Sequence, residues 1–208
     1  MTTNTLNISE EQLVDYSKAH NEPSWMTELR KKALKLTETL EMPKPDKTKL
    51  RKWDFDTFKQ HHTTGDAYTQ LTDLPKSVKE IIDVENSENL IIQHNNELAY
   101  TQVSDQAKHD GVIIEGLSEA LVNHSDLVQK YFMTKAVDVD EHRLTALHTA
   151  LVNGGIFVYV PKNTVVEHPI QYVVLHDDEQ ASFYNHVIIV TEESAEVTYV
   201  ENYLSTTS

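Results

Sequence analysis

Leu144-Thr-Ala-Leu-His-Thr-Ala-Leu-Val-Asn-Gly-Gly-Ile-Phe-Val-Tyr-Val-Pro-Lys-Asn163 holds the change of pattern on which the fold turns. In its first half Leu144, Leu147 and Leu151 recur at three- and four-residue spacing, the apolar stripe of a helix expected to begin near Asp140. That helix is expected to end at Gly154, since glycine readily takes the left-handed position beyond a helix C-terminus. From Gly155 onward the helical period is gone. Short runs of β-branched and aromatic residues replace it: Ile156–Val160, Ile170–Leu175, Val187–Val190 and Val197–Val200. These read as four successive strands. Polar or proline-containing corners separate them, such as Pro161-Lys162-Asn163 and His176-Asp177-Asp178-Glu179, with no crossover helix between. The spacing fits a sandwich, a barrel or a β-solenoid. The fourth strand lies close to Ser208 and leaves an open edge if more sheet is to follow, so the β region is expected to be truncated.

Working back from this junction, Ser9 reads as a helix cap, with Gln12 reaching back to it and Ile8 stapled onto Leu13, for a helix running to about Ala19. A second helix starts near Pro23, carries the stripe Trp25, Leu29, Ala33, Leu36 and Leu40, and must stop before Pro43 and Pro45. Residues 44–73 read as a polar linker around one anchored segment, Trp53-Asp54-Phe55, and both Trp25 and Trp53 read as core residues. Leu90–Ile92 and Leu98–Tyr100 flank Asn95-Asn96, a pair that tolerates the positive φ of a hairpin turn. Gly111–Ile114 reads as a buried strand, and Ser118 and Ser125 as caps of two short helices. The expected organisation is α+β: residues 1–153 mainly helical with a small hairpin subdomain, and 154–208 a β region.

Composition removes several classes of function. The formal charge is −15, from 33 acidic and 18 basic residues, and such a chain lacks the cation density that drives sequence-independent binding to a phosphate backbone. The same sign disfavours an anionic membrane surface, and no apolar run approaches the ~20 residues of a membrane-spanning helix. The absence of cysteine removes disulfides, thiolate nucleophiles and thiolate ligation of zinc or iron–sulfur clusters within these 208 residues. The N-terminal stretch lacks the basic start and apolar core of a secretory signal, so the expected compartment is the cytoplasm.

Candidate chemistry is thin. Gly111 to Ser118 has the glycine spacing of a phosphate-binding loop, but Leu117 stands where the phosphate-binding lysine belongs, and a buried strand entering a helix is the simpler reading. His168, His176 and His186 lie at the ends of successive strands, where two or three imidazoles could converge on zinc or ferrous iron. A small histidine-metal-dependent β-fold enzyme is therefore the alternative reading, although no metal-binding spacing motif occurs and histidines at strand ends are more often hydrogen-bonded to backbone. His61-His62 reads as a surface pair. Glu167, Asp177, Asp178, Glu192, Glu193 and Glu196 could be imagined as the paired carboxylates of a carbohydrate-cleaving solenoid, but acidic corners also keep β-edges from aggregating. No catalytic, cofactor-binding or metal-binding residue is assigned on these grounds.

The same stretch, Leu144 to Asn163, resembles the signature of the SufB/SufD family, with Phe157-Val-Tyr-Val-Pro-Lys162 its most specific part. His168-Pro169-Ile170 and Val200-Glu201-Asn202-Tyr203 are similar to the first coils of that family's β-helix. Pro23-Ser24-Trp25 with Leu29-Arg30, and the segment around Lys52-Trp53, resemble its N-terminal helical region. His148 departs from the family, where asparagine is common. The Pro-Ser-Trp helix and the missing cysteine incline the resemblance to the SufD branch. What the resemblance implies is a right-handed β-helix after residue 154 and a non-enzymatic scaffold subunit. It implies partnership with a SufB-like subunit and a SufC-like ATPase, with the iron–sulfur cluster handled by the complex and no cofactor in this chain. It also leaves open a homodimer through the open β-helix. The segments that carry the family's partner and cluster contacts lie in its C-terminal half, so no residue here inherits a role.

Overall fold

In the computed structural model, which describes residues 6–55 and 65–205, helices and strands share the chain. Their order is α1 (Glu10–Ala19), α2 (Ser24–Thr39), α3 (Lys76–Lys79), β1 (Asn89–His94), β2 (Glu97–Gln102), α4 (Asp105–His109), β3 (Ile113–Gly116), α5 (Leu117–Asn123), α6 (Ser125–Tyr131), α7 (Arg143–Leu151), β4 (Gly154–Val160), β5 (Ile170–His176), β6 (Asn185–Thr191) and β7 (Tyr199–Ser205). The class is α+β, as expected. Contacts gather the chain into two units, Met1–His61 with Ser118–Val152, and His62–Leu117 with Asn153–Ser208. The sequence reading divides the chain once, before Gly154. The packing instead groups residues 62–117 with the later strands, because β1 lies in parallel register beside β5, Leu90 opposite Gln171 and Ile92 opposite Val173.

In the first unit α1 opens on the expected capping box: Gln12 N–H donates to Ser9 Oγ at 3.2 Å and Ser9 N–H to Gln12 Oε1 at 2.8 Å. The second helix departs from its expected stripe. Met26, Arg30, Ala33 and Thr37 are its buried residues, a face turned about one residue from Trp25, Leu29, Leu36 and Leu40. Arg30 can be buried because its charge is fully answered. Its Nε and Nη2 donate to the two carboxylate oxygens of Glu22 at 2.8 and 2.6 Å, and its Nη1 donates to Ala150 O at 2.9 Å. The guanidinium also sits 5.0 Å from the Tyr16 ring, and Ser17 Oγ donates to Glu22 Oε2 at 2.7 Å. The Arg30 and Glu22 side chains are only 2% and 3% exposed, a burial that is tolerable only for a bidentate, hydrogen-bonded pair.

α7 packs on α2 and begins later than expected, at Arg143 rather than near Asp140. His142 is its cap: Thr145 N–H donates to His142 Nδ1 and His142 N–H to Thr145 Oγ1, both at 3.1 Å. The helix ends at Leu151, before either glycine, so Gly154 is not its left-handed terminator. The expected serine caps also fall elsewhere. Ser118 lies inside α5, and α6 is preceded by His124 with no side-chain cap, while Ser125 Oγ accepts from half-buried Trp25 Nε1 at 2.9 Å.

The second unit holds two sheets, ordered β2-β1-β5-β7 and β3-β4-β6. Asn95, at φ +54°, turns the expected hairpin from β1 into β2. The four late strands alternate between the sheets: β4 pairs in parallel with β6, and β5 in parallel with β7. The corners stack as well. Asn163 and Ser194 both take positive φ, Asn163 N–H donates to Glu193 O at 3.0 Å, and Val166 N–H donates to Glu196 O at 2.9 Å. Ile91, Ile114, Ile156, Val158, Ile170 and Val174 fill the core between the sheets. Leu90, Ile92, Val173 and Leu175 face the other way, onto Leu74, Val78 and Ile82, so β1 and β5 are apolar on both faces as internal parallel strands are. The pair Gly154-Gly155 belongs to β4. A Cβ on Gly155, at φ +127°, would stand 2.0 Å from His186 O, and one on Gly154 would stand 2.5 Å from Gln93 Nε2. Both glycines are there for close approach. Leu117, in the position of a phosphate-binding lysine, is buried, and β3 runs antiparallel to β4.

Candidate functional site

β6 and β7 each end one of the two sheets among the described residues, with β3 and β2 at the opposite ends, and β7 places Tyr199, Glu201 and Tyr203 beside Ile170, Tyr172 and Val174 of β5. A polar seam runs inward from them. Asn185 Nδ2 donates to Tyr203 Oη at 2.9 Å, and Asn185 Oδ1 lies 3.0 Å from Tyr172 Oη. The Tyr172 hydroxyl is 2.5 Å from Gln93 Oε1, which also accepts from Gly155 N–H at 3.0 Å, while Gln93 Nε2 donates to Asn95 O at 2.8 Å. The Tyr199 hydroxyl donates to Glu201. Burial raises the phenol pKa of Tyr172, Tyr199 and Tyr203, and Glu201 adds to the rise in all three. These hydroxyls therefore stay protonated at neutral pH and serve as hydrogen-bonding groups, not as nucleophiles.

A second cluster lies where β1 and β5 end. His94 is 5% exposed; its Nδ1 accepts from Asp66 N–H at 2.8 Å, and its Nε2 lies 2.9 Å from Asp177 Oδ2. Asn95 Nδ2 donates to Asp177 Oδ1 at 3.1 Å, and Asn95 Oδ1 accepts from the N–H groups of Asp177 and Asp178 at 3.1 and 3.3 Å. Burial acts to raise the Asp177 pKa, but the bonds from His94 and Asn95 outweigh it and hold this carboxyl below its ordinary range. Gly65 admits the ring, since a Cβ there would stand 2.3 Å from His94 Cγ. Nothing in the histidine count singles out His94; its only sequence signal is its place at the entry of the Asn95-Asn96 turn.

Among the described residues the expected convergence of three histidines is absent, and two of them stand far apart. His168 precedes β5 and His176 ends it, so the length of the strand, ~20 Å at ~3.3 Å per residue, separates them. Among the described residues no group of three or more histidine or acidic side chains is arranged to hold a metal ion. The His176 ring stands 5.5 Å from that of Phe183, and its buried Nδ1 has no hydrogen-bond partner among the described residues. His61-His62 lies outside the described residues. The acidic corners are occupied by local work: Asp178 Oδ1 accepts from Gln180 N–H at 2.8 Å, Lys162 pairs with Glu193, and Glu192 accepts from Tyr159 Oη at 3.3 Å, while the backbone of Glu196 pairs with that of Val165. Trp53, expected in the core, is 64% exposed; Phe55 stacks beside it, at 6.1 Å between ring centres.

Comparison with known proteins places this architecture. The family model described as the SufBD protein N-terminal region matches residues 10–172. This chain belongs to the SufBD family. Its relatives include the iron-sulfur cluster assembly protein SufD of Bacillus subtilis, 48% identical over 208 residues, covering 99% of this chain and 48% of that protein. A SufBD family protein of Staphylococcus epidermidis is 28% identical over 93% of this chain and 43% of its own length, and one of Pyrococcus horikoshii is 29% identical over 93% and 45%. The chain spans about half the length of the curated relatives it matches. Within the family match fall the buried Glu22–Arg30 pair, the hairpin, α7, β4 and the start of β5; β6, and β7 with Tyr199 and Tyr203, lie beyond it. No helix among the described residues is long and apolar enough to cross a membrane.

Proposed function

We propose that this SufBD chain is the N-terminal portion of a SufD-type scaffold subunit for iron–sulfur cluster assembly, acting in the cytoplasm by association and not by catalysis of its own. The observation that carries the reading is the alternation of β4, β5, β6 and β7 between two parallel ladders with stacked corners. Parallel strands joined this way overwhelmingly cross over right-handed, so the four strands fit the first coils of a right-handed β-helix. The outer strands β6 and β7 present backbone groups and half-buried side chains that a further coil, a SufB-like subunit or a second copy of this chain would cover. A SufC-like ATPase supplies the energy transduction in this reading, and the cluster is cargo of the complex, for which these cysteine-free residues offer no thiolate.

The test is co-expression of this chain, and of a form extended by its natural downstream sequence, with SufB- and SufC-like proteins of the same organism, followed by affinity capture and mass measurement. The extended form is expected to give a stoichiometric complex, and this chain to lose the ATPase. Failure of the extended form to bind either protein refutes the scaffold reading.

A further inference from the structure

Beyond α2 the first unit carries a feature that the assembly reading does not use. The chain from Leu40 to Lys49 follows no regular element and is tied to α7 by a hydrogen bond from Arg143 N–H to Glu41 O at 2.9 Å. Between this segment, the single turn Leu50–Lys52 and Arg143 lies an open groove of about 770 Å³, within the size range of sites that take small ligands or a few peptide side chains. Met42, Pro43, Pro45, Leu50, Trp53 and Phe55 form its apolar lining. Trp53 presents most of its indole to solvent, its ring plane within 10° of that of Phe55. Large exposed aromatics are costly to solubility, and tryptophan is among the residues enriched where binding energy is concentrated.

The charge around this apolar surface is opposite to that of the molecule. Lys44, Lys49 and Arg143 line the groove against the single carboxylate of Glu41, which is 2.8 Å from Lys44 Nζ. Lys47 and Lys52 are exposed on the same segment, where Asp46 is the one acidic residue between positions 44 and 52. A chain of net charge −15 thus carries five of its 18 basic residues between positions 44 and 52, beside its most exposed indole. We propose that this groove docks an acidic, extended peptide segment of a partner protein, with an apolar side chain laid on Trp53 and flanking carboxylates on Lys44 and Lys49. A short segment feels only nearby charge, because screening at physiological salt acts over about 8 Å, whereas a long polyanion such as nucleic acid would be repelled by the acidic remainder.

The probe is a fluorescein-labelled peptide of six glutamates around a central Phe-Leu pair, titrated with the chain by fluorescence anisotropy at low and physiological salt. Saturable binding is expected, weakened at least about ten-fold by Trp53→Ala and likewise by the pair Lys44→Glu and Lys49→Glu, and lost when glutamine replaces the glutamates. Both variants are expected to melt with the parent, since none of these side chains is buried, so loss of binding reads the groove and not the fold. Absence of binding at about 1 mM protein, equal binding of the glutamine peptide, or full affinity in Trp53→Ala overturns the proposal. So does self-association of the chain that disappears with Trp53→Ala, which would assign the groove to a second copy.

Discussion

Replacing Glu22 by glutamine leaves the Arg30 guanidinium buried without its counter-charge. Removing one partner of a buried pair costs about 3–5 kcal/mol. A glutamine carbonyl would still accept one of the two bonds Arg30 now donates to Glu22, and Ala150 O would still accept from Nη1, which places the cost near the lower end, about 3 kcal/mol. For a chain of this length that is a fall in melting temperature of roughly 6–12 °C. The dependence on pH carries the sharper test. Burial acts to raise the Glu22 pKa, but the charge of Arg30 and the hydrogen bonds from Arg30 and Ser17 outweigh it, so the folded-state value lies below the unfolded one. The stability Glu22 contributes is therefore complete above the ordinary carboxylate range and is lost as pH falls through its folded-state pKa. Urea denaturation of the parent and Glu22→Gln from neutral to strongly acidic pH should show a gap that is widest at neutrality and closes in acid. A gap below about 1 kcal/mol at neutrality, or one that does not narrow in acid, refutes the reasoning. In the double variant Glu22→Leu with Arg30→Met no buried charge remains, and most of the loss should be recovered, apart from about 1 kcal/mol for the donor removed from Ala150 O.

Three further outcomes follow from the same geometry. His148 is held down to about 4 by burial and by the nearby charge of Arg30, so its protonation in the unfolded chain should destabilise the fold progressively as pH falls from about 6.5 toward 4, by at most about 3 kcal/mol, and His148→Asn should flatten that part of the denaturation profile; a parallel profile in the variant refutes it. Gly155→Ala places a Cβ against His186 O at a positive φ and should cost about 3 kcal/mol or more, read as loss of the cooperative unfolding transition at moderate urea; a stable variant would mean β4 and β6 can part without penalty. Tyr172→Phe removes one hydroxyl from the seam while Gln93 Oε1 keeps Gly155 N–H, so a loss of about 1 kcal/mol is expected in urea denaturation, and a loss above about 3 kcal/mol would show that the seam is far more cooperative than its pairwise bonds.

The elements most legible in the sequence were those whose signals are local. Ser9 and Gln12 sit three residues apart and cap α1 as that spacing requires, and Asn95 tolerates the φ that turns β1 into β2. The runs at 156–160, 170–175, 187–190 and 197–200 all become strands or lie against one, because β-branched and aromatic side chains favour a pleated, extended backbone. The readings that moved depend on partners distant in sequence. The apolar character of Trp25 puts it on the expected stripe of α2, yet Arg30 takes the packed face because Glu22 and Ala150 O meet it there. By local pattern Gly154 reads as a helix terminator, because a glycine ends many helices, whereas the pair Gly154-Gly155 makes room for the backbone of β6 and the amide of Gln93, which arrive from residues 186 and 93. Trp53 carries no local mark that it is left outside.

Composition and local pattern are thus enough to determine an acidic, cysteine-free α+β chain with a hairpin at Asn95 and successive strands from residue 154, and the short run from Phe157 to Lys162 is enough to point to its family. Only the tertiary structure decided which charges could be buried, that β1 stands beside β5, that His94 finds Asp177 while His168 and His176 are held at opposite ends of a strand, and that the lysines after α2 surround an exposed indole. The physical reason is the range of the interactions. Caps, turns and β-propensity act over a few residues and are written in order along the chain, whereas desolvated ion pairs, close backbone approaches and grooves are made by groups that only the folded chain brings within a few ångströms of one another.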